Sequence, residues 1–274
     1  MIYALRMPLH SRTRFGLALL AGVAVIACHR PPPSIRFAPE GTDGDRLRSA
    51  FALTDAERNT LTPDSLRRLS QVQVDQVYAR LSTGPIPDGP FRGDLFFPRG
   101  APRHAHLGDL SPALPAQFAA LAAMPVEQLG RAFWKGKAFF KAEGILRNRI
   151  EDLAILKPLI KDSSSIPKLT FDGQTTWLLF PAQVSCGNSL LEPARRAIVI
   201  DYSKGPQIAG YRDIPDRLGG SEGLDIRDEV RAVKPGLYLG RAYFHNQFRL
   251  NFTLVKPDAD SAAPADVLGD CAPS

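Results

Sequence analysis

Between Ile86 and Val255 the chain is a series of short apolar runs separated by turn-forming residues. Within the runs, apolar and polar positions alternate. Phe248, Leu250, Phe252 and Leu254 fall on one side, with Arg249, Asn251 and Thr253 on the other; Ile226, Asp228, Val230 and Ala232 oppose Arg227, Glu229 and Arg231. Successive side chains of a strand point to opposite faces, so this period of two marks strands with one buried face. The runs are Phe91–Phe97, Ala132–Phe140, Ile145–Ile150, Thr175–Phe180, Arg196–Tyr202, Asp225–Val233, Leu237–Phe244 and Phe248–Val255, with further candidates near Leu169 and Ile208. Several joints are hairpin-like: Lys141-Ala142-Glu143-Gly144, Lys234-Pro235-Gly236 and His245-Asn246-Gln247. The pattern predicts a mainly β fold, an antiparallel meander. Its open edges would template pairing with other chains, and closure into a barrel removes them. Gly136, Gly236 and Gly240 fall where a closing sheet needs bends or bulges. A barrel of about eight strands holds either packed side chains or one small ligand.

Outside these runs the pattern changes. Asp45 to Leu81 has helical character: Thr54 and Thr62 are N-cap candidates, and Pro63 and Asp64 fit a first helical turn. Leu66, Leu69, Val72, Tyr78 and Leu81 recur at roughly helical spacing, which predicts one amphipathic helix covering the barrel. Residues 98–131 are rich in Pro and Ala, and Ser111 to Gly130 reads as a short helical insertion. The division is 1–27 leader, 28–44 Pro-rich tether, 45–85 helical segment, 86–256 barrel and 257–274 tail.

The leader is a second signal. Arg6, Arg12 and Arg14 precede an apolar run from Phe15 to Ala27, too short for a spanning helix but of the length of a signal h-region. Val25-Ile26-Ala27-Cys28 then resembles the lipobox of bacterial lipoproteins, with a branched apolar residue at −3, a small residue at −1 and Cys at +1; the alternative is ordinary secretion with cleavage at a nearby Ala. The resemblance covers the leader alone. It implies acyl chains (palmitate or similar) on Cys28, and His29 in place of Asp after the Cys implies an outer-membrane, periplasm-facing address. Each buried methylene adds about 0.8 kcal/mol to such an anchor. Losing the three leader arginines takes the formal charge from +6 to +3, too mild to point to nucleic acid.

The barrel region resembles lipocalin-like (calycin) barrels. Gly89-Pro90-Phe91 stands where that family carries Gly-x-Trp, and Ile200-Asp201-Tyr202 is similar to its Thr-Asp-Tyr. Phe replaces Trp and Ile replaces Thr. The two motifs are also further apart than in lipocalins, and the insertion at 98–131 is foreign to them. The resemblance implies an architecture.

Candidate chemistry is sparse. The chain has no nucleophile elbow, P-loop, Cys-x-x-Cys, His-Glu-x-x-His or dinucleotide fingerprint. No cofactor or metal is expected. His104 and His106 would share a face of an extended segment and with a carboxylate could hold a metal; the other reading is an exposed loop. With Cys28 acylated, Cys186 and Cys271 remain as an even pair in an oxidising compartment, and a disulfide between them would pin the tail. Asn148 and Asp228 fall on apolar strand faces and must be paired, solvated or protonated. Asp228 either handles a ligand or locks the barrel by pairing with Arg241 or Arg249. Trp134, Trp177 and Tyr238 are pocket-lining or plain core. The basic run of Arg131, Lys135, Lys137, Lys141, Arg147, Arg149, Lys157 and Lys161 reads as a solvated outer face, with anionic headgroups as the functional alternative.

The leading expectation is a lipid-anchored periplasmic barrel binding a small apolar or amphipathic ligand through Trp134, Asn148, Trp177, Asp228 and Tyr238. The rivals are an enzyme using acid/base chemistry at Asp228 or Glu229, and an envelope structural protein with a solid barrel. One expectation is independent of the barrel. Cys28→Ala abolishes metabolic labelling with radiolabelled palmitate and moves the protein from the membrane to the soluble envelope fraction; unchanged membrane association would refute the anchor.

Overall fold

In the computed structural model the described residues are 34–97, 106, 109, 119–123, 125, 133–154, 156, 160, 162–206, 219–221, 223–257, 269 and 271. They form nine antiparallel strands: β1 Gly89–Phe96, β2 Trp134–Phe140, β3 Ile145–Ile150, β4 Lys168–Phe171, β5 Gln174–Asn188, β6 Arg196–Asp201, β7 Ile226–Lys234, β8 Leu237–Phe244 and β9 Gln247–Val255. Each strand pairs with its sequence neighbours, except that β3 pairs with β5 and β1 with β9, which closes eight strands into a barrel. β4 is the ninth strand, a hairpin partner on β5 at the position flagged by Leu169. Ile208 lies outside the described residues. Of the predicted insertion, a single helical turn over Ala119–Ala122 is described.

β5 extends well past the run seen in the sequence because it changes partners along its 15 residues. It pairs with β4 at 174–177, with β3 at 177–183 and with β6 at 183–188. Phe180, at φ 54°, and a register shift between Leu146 and Asn148 mark where it bends. A second irregularity lies in β2, between Trp134 and Gly136. Gly136 has φ 119°, and a Cβ there would lie 2.2 Å from the Phe91 carbonyl oxygen, so no side chain fits. This bulge skips Lys135, turning it outward to pair with Glu151 at 2.6 Å and placing Trp134 and Lys137 on the same inward face. The Arg149 guanidinium donates to the Phe91 and Lys135 carbonyls, at 3.1 and 3.3 Å, beside the bulge. The basic run is therefore not one solvated face: Lys137 points inside, and Arg147 and Arg149 are buried.

The helical segment is four short helices rather than one long one: α1 Gly44–Ala50, α2 Asp55–Thr60, α3 Pro63–Arg67 and α4 Gln71–Arg80. Thr54, Thr62 and Ser70 each cap a helix with a reciprocal side-chain box, and every such cap ends one helix run and starts the next. Of the periodic residues, Leu66, Tyr78 and Leu81 are buried and Leu69 is partly buried, whereas Val72 is exposed and Val74 and Val77 take the inward positions of α4. Leu66, Val74, Val77, Tyr78 and Leu81 join Phe96, Val233, Leu237 and Leu239 in a second core on the outside of the barrel. Glu229, Arg231, Asn251 and Thr253, which alternation places opposite the inner face, are consequently buried as well. Part of the Pro-rich stretch also lies on α4: the Ala38 N–H donates to Gln76 Oε1 and Gln76 Nε2 donates to the Ala38 carbonyl, both at 2.9 Å.

The two ends of the barrel differ. The short connections 141–144, 189–195 and 235–236 share one end, which residues 82–88 cross. Ala232 N–H donates to the Ser82 carbonyl at 3.1 Å, and Tyr238 OH donates to the Pro85 carbonyl at 3.0 Å. Cys271 is bonded here to Cys186 across 85 residues of sequence, as the cysteine arithmetic predicts, and its N–H donates to Thr83 Oγ1 at 2.6 Å. The longer connections 97–133, 151–167 and 202–225 join strands at the opposite rim. Closing the loop between Cys186 and Cys271, 85 residues apart, stabilises by about 4–5 kcal/mol in the chain-entropy account. We expect alkylation of the denatured protein to add mass at Cys186 and Cys271 only after reduction. Cys271→Ser should lower Tm by several degrees; an unchanged Tm would show that the bond contributes nothing.

Candidate functional site

The barrel interior is layered by register. Trp134, Ile150 and Trp177 are cross-strand neighbours nearest the rim; Lys137 and Asn148 form the next layer with Leu179; Phe139, Leu146 and Ala182 lie beyond. All but one of these layers are apolar. The middle layer is built around Lys137, only 2% exposed. Its Nζ lies 2.8 Å from Asp228 Oδ2, 3.0 Å from Asn148 Oδ1 and 2.6 Å from the Tyr202 hydroxyl. The rings of Trp134, Tyr202 and Phe252 surround the same ammonium with centroids at 5.2–5.4 Å.

Each partner arrives from its own strand. Asp228 comes inward from β7, one step from Val230, as alternation requires. Tyr202 follows Ile198 and Ile200 on the inner side of β6 and sits just past the strand's end. Asn148 donates through Nδ2 to the Tyr202 oxygen at 2.9 Å and to the Phe180 carbonyl at 3.3 Å, while its Oδ1 accepts from Trp134 Nε1 at 2.7 Å. The Tyr202 hydroxyl donates to Asp228 Oδ2 at 3.2 Å. Two glycines make the room: a Cβ on Gly93 would lie 2.2 Å from the Trp134 ring, and one on Gly240 would lie 2.2 Å from the Phe252 ring.

The electrostatics follow from burial. Loss of water pushes the Lys137 ammonium below its ordinary pKa, and the Asp228 charge and hydrogen bond pull it part of the way back. Tyr202 is pushed well above the usual phenol value, first by burial and then by the neighbouring Asp228 charge, so it remains a neutral hydroxyl. Tyr238 rises to about 12 through burial alone.

The structure therefore joins Trp134, Asn148 and Asp228 in one cluster. Trp177 stands apart at the rim, half-buried, with Lys168 Nζ 5.1 Å from its ring centroid; its Nε1 is buried and takes no partner among the described residues. Tyr238 lies at the closed end, its ring edge-on to Phe91 at 5.8 Å and its hydroxyl committed to Pro85. The expected pairing of Asp228 with Arg241 or Arg249 is corrected. Asp228 pairs with Lys137 across the interior, while Arg241 points outward to Asp75 and donates to the Tyr243 hydroxyl at 2.9 Å. Glu229 is also outward, held by Ser189 Oγ at 2.7 Å, Leu190 N–H at 2.8 Å and Arg227, so it cannot act with Asp228. His104 is outside the described residues; His106 is exposed, with Nδ1 3.4 Å from Asp109. Among the described residues no group of His, Cys, Asp and Glu could hold a metal, and no helix is long and apolar enough to cross a membrane.

Sequence reasoning missed Lys137 and Tyr202. The signal for Tyr202 was present, since it continues the Ile198 and Ile200 alternation. For Lys137 the one clue was Gly136, the residue that permits the bulge.

The arrangement defines a class: a closed, eight-stranded, up-and-down antiparallel barrel, lipocalin-like in architecture, with an internal ion-pair cluster and an external helical layer. No protein-family model, curated protein or solved structure matches this chain.

Removing one partner of a buried ion pair strands the other charge and costs about 3–5 kcal/mol, whereas replacing both with apolar residues is often near neutral. Urea unfolding of Lys137→Met and Asp228→Leu should show losses of that order, and the double variant should recover most of the sum. Additive losses would refute the coupling.

Proposed function

We propose that the protein is a lipid-anchored envelope protein, attached through Cys28 and facing the periplasm from the outer membrane, whose barrel binds a small amphipathic molecule without covalent chemistry. The observation that carries this reading is a polar cluster set in the middle of an apolar barrel. Apolar interior with a few placed polar groups is the composition of small-molecule sites. Asp228, Asn148 and Tyr202 are buried together with Lys137, and the apolar residues Ile198, Ile200 and Leu254 are buried around them. The half-buried Trp134 and Trp177 on the rim side give the apolar part of a guest its contacts, and the closed opposite end makes the rim the entry.

The rival acid/base reading falls to Asp228, whose titratable neighbours are Lys137 and Tyr202, since Glu229 is held on the outer side of β7 by Ser189, Leu190 and Arg227. The binding reading is tested by native mass spectrometry of protein purified in mild detergent from its own host. We expect a discrete added mass that organic extraction removes. Ala242→Phe, which fills the position opposite Asp228 on β8, should abolish it. A wild-type mass equal to the acylated chain alone would favour a solid, structural barrel.

A further inference from the structure

Resting on the binding reading, we infer that the guest carries an uncharged head that donates a hydrogen bond to Asp228 Oδ1, as in a neutral lipid with a free hydroxyl, and that fatty carboxylates are rejected. The donors and acceptors of the cluster are nearly all paired with one another. The Lys137 ammonium has three N–H groups, and three oxygens surround it: Asp228 Oδ2, Asn148 Oδ1 and the Tyr202 hydroxyl. Both N–H groups of Asn148 are engaged, by Tyr202 and by the Phe180 carbonyl. The Trp134 N–H is held by Asn148, and the Tyr202 O–H by Asp228. No donor in the cluster is left for a carboxylate.

One acceptor is open. Asp228 is 4% exposed, yet Lys137 and Tyr202 both use its Oδ2, and Oδ1 accepts nothing from a described residue. A hydroxyl or amide N–H on the guest would supply the hydrogen bond that Oδ1 lacks among the described residues. Charge selects further. Lys137 and Asp228 cancel, and Tyr202 and Asn148 are neutral, so an anionic or cationic head would bring an uncompensated charge into a dry interior. An ammonium head would also sit beside the Lys137 cation.

Trp177 adds a second constraint. Its buried Nε1 is a donor without a described partner, one layer nearer the rim than the cluster. A carbonyl or ether oxygen behind the hydroxyl of the guest would meet it. A hydroxyl leading into the barrel, an acceptor oxygen behind it and an alkyl chain towards the rim describe a monoacylglycerol-like molecule.

The test is calorimetric titration of the full-length protein with monododecanoylglycerol, dodecanoate and dodecylammonium below their critical micelle concentrations. We expect the neutral lipid to bind at least about tenfold more tightly than either ion. In Asp228→Asn the Lys137 charge is unopposed, and dodecanoate should become the preferred ligand. The wild-type ranking stands on its own if that variant does not fold. Dodecanoate binding wild type as well as or better than the neutral lipid would overturn the head-group assignment and leave the barrel a binding site. Absence of binding by all three, together with no co-purified mass from the host, would overturn both.

Discussion

Closure of β5 onto β3 is the constraint from which the rest of the structure follows. Once those strands pair, the sheet has a sealed inside, and any polar atom pointing there loses water and must find a protein partner. A lysine on an open sheet would reach solvent. Inside the ring, Lys137 requires Asp228, and the pair in turn requires Tyr202 and Asn148 to complete its hydrogen bonds. The closed sheet therefore dictates that the ion pair be complete: either member alone would be a stranded charge inside the ring.

The same logic is repeated on the outside. The strands β7, β8 and β9 are covered on their outer side by α4 and its neighbours, so they are buried on both faces. The outer layer solves its polar problem with arginines. Arg231 Nη1 donates to the Tyr78 carbonyl at 3.0 Å and pairs with Glu192 at 2.8 Å, and its guanidinium lies 4.6 Å from the Tyr78 ring centroid. Arg241 stacks on Phe248 at 4.2 Å and reaches Asp75 on α4. Planar guanidinium groups can stack and donate at once, which suits a seam between a helix and a sheet. The helical layer is thus fastened to the barrel by charge-assisted bonds as well as by its apolar stripe.

The strands were legible because half-buried strands alternate, and the inward set of β9 could be read from Leu250 to Leu254; Phe248 is the correction, since the register shift between Ala242 and Tyr243 puts its ring on the outer face with Tyr243 and Arg241. Asp228 was legible as an inward carboxylate for the same reason. Its partner was not. The bulge at Gly136 breaks the period of two within β2, and a reader who keeps counting places Lys137 on the wrong side of the sheet. The burial of Glu229 and Arg231 was equally hidden, since polar residues on the outer face look solvated until the helices are placed over them. The single long helix suggested by Leu66 to Leu81 failed for a local reason: Ser70 offers a cap that starts a new helix. Long-range pairing, such as β3 with β5 or Lys137 with Asp228, leaves no trace in a single sequence.

The disulfide lies at the end of the barrel where residues 82–88 and Cys271 meet, and this position has a consequence for biogenesis. Cys186 is in β5, and every strand from β6 to β9 lies between it and its mate. The thiol therefore stays unmatched while half of the barrel is still to be made. Oxidation becomes geometrically available only when the last strand has docked and the tail folds back over Thr83. The covalent bond is a seal on a finished ring, and a chain truncated before residue 271 would fold with its floor unlatched.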